Sequence, residues 1–101
     1  MFVFNTTTKV DYPVLNKWIQ WQMSIYIPEV MATGFFTEHR FYKLLDHDDN
    51  EGAIYVTQFL VSSKEVYQQY LQQRAPQLQQ KALDEWGDKI VSFSTLLQNV
   101  Q

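Results

Sequence analysis

The chain has 101 residues, a formal charge of −3 and no cysteine. That size points to one domain spanning residues 1–101, with 98–101 as a short tail. Disulfides, iron–sulfur clusters, thiolate nucleophiles and Cys-based zinc sites are excluded, and the eight scattered Lys and Arg make no basic patch for a nucleic-acid backbone.

No apolar stretch approaches a membrane span. Met1 passes into Phe2-Val3-Phe4 without the basic region of a leader peptide, so the expected location is cytoplasmic. The aromatic content of 16% is high and suits a small core, a subunit interface or an apolar pocket.

Taken in order, Phe2 to Lys9 is rich in β-branched and aromatic residues and predicts a strand. Asp11 ahead of Pro13 marks a helix start with a capping carboxylate. Val14, Leu15, Trp18, Ile19, Trp21, Gln22 and Ile25 then recur at helical spacing. Pro28 is expected to kink or end that helix, and Gly34 to break the chain before the next strand. Phe35 to Leu45 alternates as a second strand with two mixed faces. The polar run from Asp46 to Gly52 forms a loop. Ala53 to Val61 is apolar on both faces, as a central strand would be.

Ser62-Ser63-Lys64-Glu65 has the spacing of a capping box. The helix behind it carries Val66, Tyr67, Tyr70 and Leu71, is interrupted at Pro76, and ends at Gly87 after Trp86. Lys89 to Leu97 is the last strand.

The order strand, helix, strand, strand, helix, strand defines an α+β ferredoxin-like βαββαβ sandwich, a four-stranded antiparallel sheet with two helices on one face. The other sheet face needs cover. A two-fold homodimer through that helix-free face is the expected solution, with Tyr55, Thr57, Phe59 and Val61 as the predicted contact. Alternation establishes which residues share a face, not which face looks inward.

Asn5-Thr6-Thr7, Tyr26-Ile27-Pro28-Glu29-Val30, Thr33-Gly34-Phe35-Phe36, Arg74-Ala75-Pro76 and Gly87-Asp88-Lys89 leading to Phe93 carry a resemblance along nearly the whole chain. In these stretches it resembles a family of short, uncharacterised bacterial proteins in the dimeric α/β-barrel superfamily. The resemblance implies that fold and dimerisation. Many family members have His where Tyr26 stands, so a histidine role there does not carry over.

The wider superfamily includes cofactor-independent monooxygenases, haem-degrading enzymes, isomerases and ligand-sensing domains, and its enzymes place a pocket between helices and sheet. Haem-degrading members have a Trp near the end of the third strand and a His on the second helix. Here those places hold Phe59-Leu60-Val61, Tyr67 and Tyr70, so the resemblance implies no haem and no other cofactor.

No catalytic constellation stands in the sequence. Asp46, Asp48 and Asn50 alternate as calcium ligands do, but Glu51 and Thr57 fall where a calcium loop needs Gly and a bidentate acid; no metal site is expected. His47 lies in the acidic loop and His39 on a strand. Ser92 and Ser94 have no neighbouring base and are sheet residues.

Polar residues interrupting apolar faces are the ligand-binding candidates: Asn5, Arg40 and Gln58, with Trp18, Tyr26 and Tyr70 around an apolar pocket. Gln58 has a structural reading too, as a hydrogen-bond partner of Asn5 or Arg40. Two functions follow. The first is a dimeric module binding a small hydrophobic ligand or regulating a partner. The alternative is a cofactor-independent monooxygenase or isomerase acting on a small metabolite.

Overall fold

A computed structural model describes residues 1–48 and 50–101; Asp49, within the polar loop, lies outside the described residues. The elements are β1 (Phe2–Val10), α1 (Leu15–Trp21), α2 (Ile27–Ala32), β2 (Glu38–Lys43), β3 (Ala53–Val61), α3 (Lys64–Gln73), α4 (Ala75–Trp86) and β4 (Ile90–Gln98). The four strands run antiparallel in the order β2-β3-β1-β4. This is the ferredoxin-like split βαβ arrangement, with β1 and β3 in the centre.

Local chemistry explains most boundaries, and three expectations need correction. First, of the two outcomes expected at Pro28, a kink or an end, the helix does not end there. A π-helical turn, Gln22–Tyr26, joins α1 to α2, and the Ile27 amide donates to the Gln22 carbonyl five residues back. Proline in a helix lacks its own donor and crowds the carbonyl four residues earlier. A wider turn just ahead of it relieves both demands. The helix stops instead after Ala32, where the Thr33 and Gly34 amides close onto Val30 and Met31 and Gly34 takes φ +81°.

Second, the Ser63 hydroxyl alone caps α3, accepting from the Val66 amide at 3.2 Å. The third helical position is therefore Val66, and no box with Glu65 forms. Third, the Asp11 side chain makes no capping bond. Its backbone amide reaches across to the Lys89 carbonyl instead, at 3.1 Å.

The register settles which sheet face the helices cover. Phe4 pairs with Phe59, Thr6 with Thr57 and Thr8 with Tyr55, and the rings of Trp18 and Tyr70 pack on this face against Tyr55 and Phe4. Thr57 and Phe59 are 2% exposed and Val61 is fully buried. Tyr55, Thr57, Phe59 and Val61 thus lie beneath the helices and not on the open face where a dimer contact was expected. The opposite face carries Val3, Asn5, Thr7 and Lys9 beside Leu60, Gln58, Val56 and Ile54. Both faces of β3 are apolar, so its own alternation could not choose between them.

The core falls into two clusters. Phe4, Ile27, Val30, Phe36, Phe59, Val61, Tyr70, Ala75 and Leu78 form one, at the end of the sheet where β1 begins. Val10, Trp18, Trp21 and Trp86 form the other, at the end where β1 finishes. Phe36 belongs to the first because the chain enters β2 later than its aromatic pattern implies, at Glu38.

Gly52 precedes β3 where the chain passes closest to β1. A Cβ there would stand 2.6 Å from the Val10 carbonyl oxygen, and Val10 is paired on both sides, to Ala53 and Ile90. Backbone must therefore move in Gly52→Ala. Such overpacking costs about 1–3 kcal/mol, visible as a lower urea midpoint with an unchanged slope. A midpoint equal to that of the parent protein would contradict this close approach.

Candidate functional site

Three strands change character at the same level of the helix-covered face. β1 runs Phe4, Thr6, Thr8, Val10; β3 runs Phe59, Thr57; β4 runs Leu96, Ser94, Ser92, Ile90, and the register aligns Thr6 with both Thr57 and Ser94 and Thr8 with Ser92. Large side chains at both ends build the two core clusters, and short hydroxyl side chains lie between. The helices rest on the bulky ends and bridge the short middle. The result is a cavity of about 460 Å³, open on one side and lined by Phe4, Trp18, Trp21, Phe59, Leu83 and this hydroxyl floor among others.

The floor polar groups hydrogen-bond in pairs. Thr6 Oγ1 and Ser94 Oγ are 2.9 Å apart, as are Thr8 Oγ1 and Ser92 Oγ. Gln22 Nε2 donates to Thr57 Oγ1 at 3.0 Å from the helix above. A buried amide without such a partner would cost about 1–3 kcal/mol.

The π turn helps aim the helix side of the site. Trp18, Gln22 and Tyr26 all line the cavity, although a row at spacing four drifts about 40° per step around an α-helix. The wider turn between Gln22 and Tyr26 winds the row back. Tyr26 stacks on Trp21 with ring centroids 5.1 Å apart.

Tyr26 and Tyr70 line the cavity, and among the described residues neither hydroxyl has a protein hydrogen-bond partner. Tyr70 as a residue is only 2% exposed. Burial, reinforced by the Glu29 carboxylate, pushes the Tyr26 phenol up to about 12. Burial, with Tyr26 and Tyr67 nearby, raises Tyr70 further, against a smaller opposing effect of Arg74. Both phenols are therefore donors at any physiological pH. No side chain lining the cavity carries a charge. An ion pair, Lys81 to Glu29, joins α4 to α2.

The ligand-binding candidates of the sequence divide between the two faces. Trp18, Tyr26 and Tyr70 line the cavity. Asn5, Gln58 and Arg40 instead form one cross-strand row on the open face, where Gln58 Nε2 donates to Asn5 Oδ1 at 3.1 Å. Glu38 lies 3.8 Å from the Arg40 guanidinium on the same face. Thr6, Thr8, Ser92, Ser94 and Gln22 were missed as site residues, and Thr57 was placed on the wrong face. The available signal was the shared recurrence of short hydroxyl residues on three strands known to be neighbours. Neither histidine lines the cavity. Among the described residues no group of three His, Asp or Glu side chains could hold a metal ion, and no helix is long and apolar enough to cross a membrane.

The sheet and the helices over it define a ferredoxin-like α+β protein. The chain belongs to the domain-of-unknown-function family DUF4286, whose model matches residues 1–100. Among solved structures it is similar to an ethyl tert-butyl ether degradation (EthD) family protein from Bacillus halodurans. That likeness has a TM-score of 0.68 at 6% identity and covers 99% of this chain and 100% of the other. It is also similar to a dimeric ferredoxin-like protein from an uncultured marine organism, with a TM-score of 0.63 at 16% identity, covering 100% of this chain and 96% of that one. At such identities the likeness shows the fold alone. No curated protein matches the chain.

The raised phenol has a consequence for alkaline stability. An unfolded tyrosine loses its proton near 10 and folded Tyr26 near 12, so the unfolded state releases the proton first. The stability is whole below pH 10 and is lost as pH rises from 10 to 12, by up to about 2–3 kcal/mol for this group. Tyr70 adds a fall of the same sign. Urea unfolding across that range should show the decline, and Tyr26→Phe should make it shallower. An equally steep decline in the variant would place the titrating group elsewhere.

Proposed function

We propose that the protein is a cytoplasmic homodimer that binds a small, largely apolar molecule in the cleft between helices and sheet of each protomer. The observation that carries this reading is a cavity of about 460 Å³ where a domain of this size would normally pack solid. Binding sites for small molecules have that size, with apolar walls and a few placed polar groups. A cofactor-independent monooxygenase or isomerase would use the same cleft. We place binding first because Tyr26 and Tyr70 hold their protons and no other lining residue is a base.

The dimer reading is supported by the open sheet face. Val91, Phe93, Leu97 and Tyr42 are 65%, 63%, 45% and 50% exposed there, beside Val3, Ile54 and Val56. A contiguous patch of this kind is complementary to its own two-fold copy, and a dimeric ferredoxin-like protein shares the fold.

Two experiments test these statements. Ser94 lines the cleft on an exposed stretch of β4, and a large ring there would fill it. Ser94→Trp should weaken binding of the uncharged fluorescent probe N-phenylnaphthylamine by about tenfold or more while leaving the urea midpoint in place. Equal affinity in parent and variant would remove the cleft from the proposal. Phe93→Asp should halve the mass measured by light scattering at micromolar concentration, since a charge buried in an apolar contact has no partner. A parent protein that already scatters as a monomer would sink the dimer.

A further inference from the structure

We propose that the ligand of this cleft is an uncharged aromatic molecule bearing a carbonyl-type oxygen, its rings against Trp18, Trp21, Phe4 and Phe59 and its oxygen accepting from the hydroxyls of Tyr70 and Tyr26. The inference rests on the cleft being a binding site and specifies what it takes.

Charge is decided by what surrounds the cavity. No lining residue is ionised at neutral pH, and an ion moved from water into a largely apolar cleft loses hydration with no partner to offset it. Lys81 and Glu29 are engaged with one another. Arg74 is exposed and does not line the cavity. An anion would therefore find no counter-charge. A cation could rest on the aromatic faces, but it would offer the two phenol hydroxyls no acceptor.

Those donors select the functional group. Thr6 with Ser94, Thr8 with Ser92, and Gln22 with Thr57 are already paired. Tyr26 and Tyr70 are not, among the described residues, although Tyr70 is almost wholly buried. Neither hydroxyl is a sealed orphan of the core; both belong to residues lining the open cleft, where an acceptor on the ligand takes the place of water. The aromatic walls favour a flat, ring-based molecule, and the volume accommodates two or three fused rings.

The test uses four naphthalenes of similar size, titrated against the tryptophan fluorescence that Trp18 and Trp21 supply: acetonaphthone, ethylnaphthalene, naphthoate and naphthylmethylammonium. The ketone should bind about fivefold to tenfold more tightly than the hydrocarbon, the worth of one or two hydrogen bonds. The anion and cation should bind about tenfold more weakly than the ketone, or worse. In the Tyr26→Phe/Tyr70→Phe double variant the preference for ketone over hydrocarbon should vanish, with a cooperative urea transition at neutral pH certifying that the variant is folded. Naphthoate or the ammonium compound binding as tightly as the ketone would overturn the inference and leave the cleft standing. A ketone preference that survives in the double variant would do the same. Failure of all four to bind would overturn both this inference and the binding role beneath it.

Discussion

The structure depends on a deliberate shortage of bulk in the middle of one sheet face. Thr6, Thr8, Thr57, Ser92 and Ser94 occupy the positions where a domain of this class would ordinarily bury its largest side chains. A closed, dry void as large as the one above them would cost on the order of 10 kcal/mol at about 24 cal/mol per Å³. That is the whole stability of a typical small domain. The cavity is tolerable because it opens to water and because its floor is polar enough to be wetted. The hydroxyl pairing across β1 and β4 satisfies one donor of each pair and leaves the other for water or a ligand.

Everything above the floor is arranged around the gap. The two aromatic clusters act as pillars at its ends, and each ties a helical segment to the central strands. Trp18 packs on Tyr55 and Phe41 at 5.6 and 5.8 Å between ring centroids, while Tyr70 packs on Phe36 at 4.8 Å. Between the pillars the first helix needs a face that keeps pointing downward for three turns. The π turn supplies it, and Pro28 makes the strained form the natural one by disfavouring the ordinary hydrogen bond at that level. A local sequence cost and a site requirement coincide at Gln22–Tyr26.

Much of the fold was legible because it rests on local rules. The bounds of β3 follow from alternation flanked by Gly52, and the break between α3 and α4 follows from Pro76. The site was less legible because it rests on orientation. β3 is apolar on both sides, so reading it alone put Phe59 and Val61 outside and Asn5, Gln58 and Arg40 in the pocket. The tie could have been broken by its neighbours. Lys9, Glu38 and Arg40 all share the face of Asn5 and Gln58, and charges on adjacent strands mark the wet side of a sheet. Hydroxyl residues are ordinary in strands and carry no distinct signal one at a time. They become a site only when the register brings them level.

With the faces assigned, the sheet separates two roles by the pleat itself. On the proposed dimer, one side of the four strands meets its copy while the other floors the cleft, and the two surfaces adjoin at Phe93, which borders the cleft from β4. β4 is where the two are closest. Ser92 and Ser94 point to the cleft, and Phe93 between them points to the open face, because neighbours in a strand project oppositely. β4 is also an edge strand, held only by β1, and such edges are the least constrained part of a sheet. Covering Phe93 would hold in place the very backbone that positions the two serines. Dimerisation would then pre-organise half of the hydroxyl floor, and the cleft would be best formed in the assembled protein.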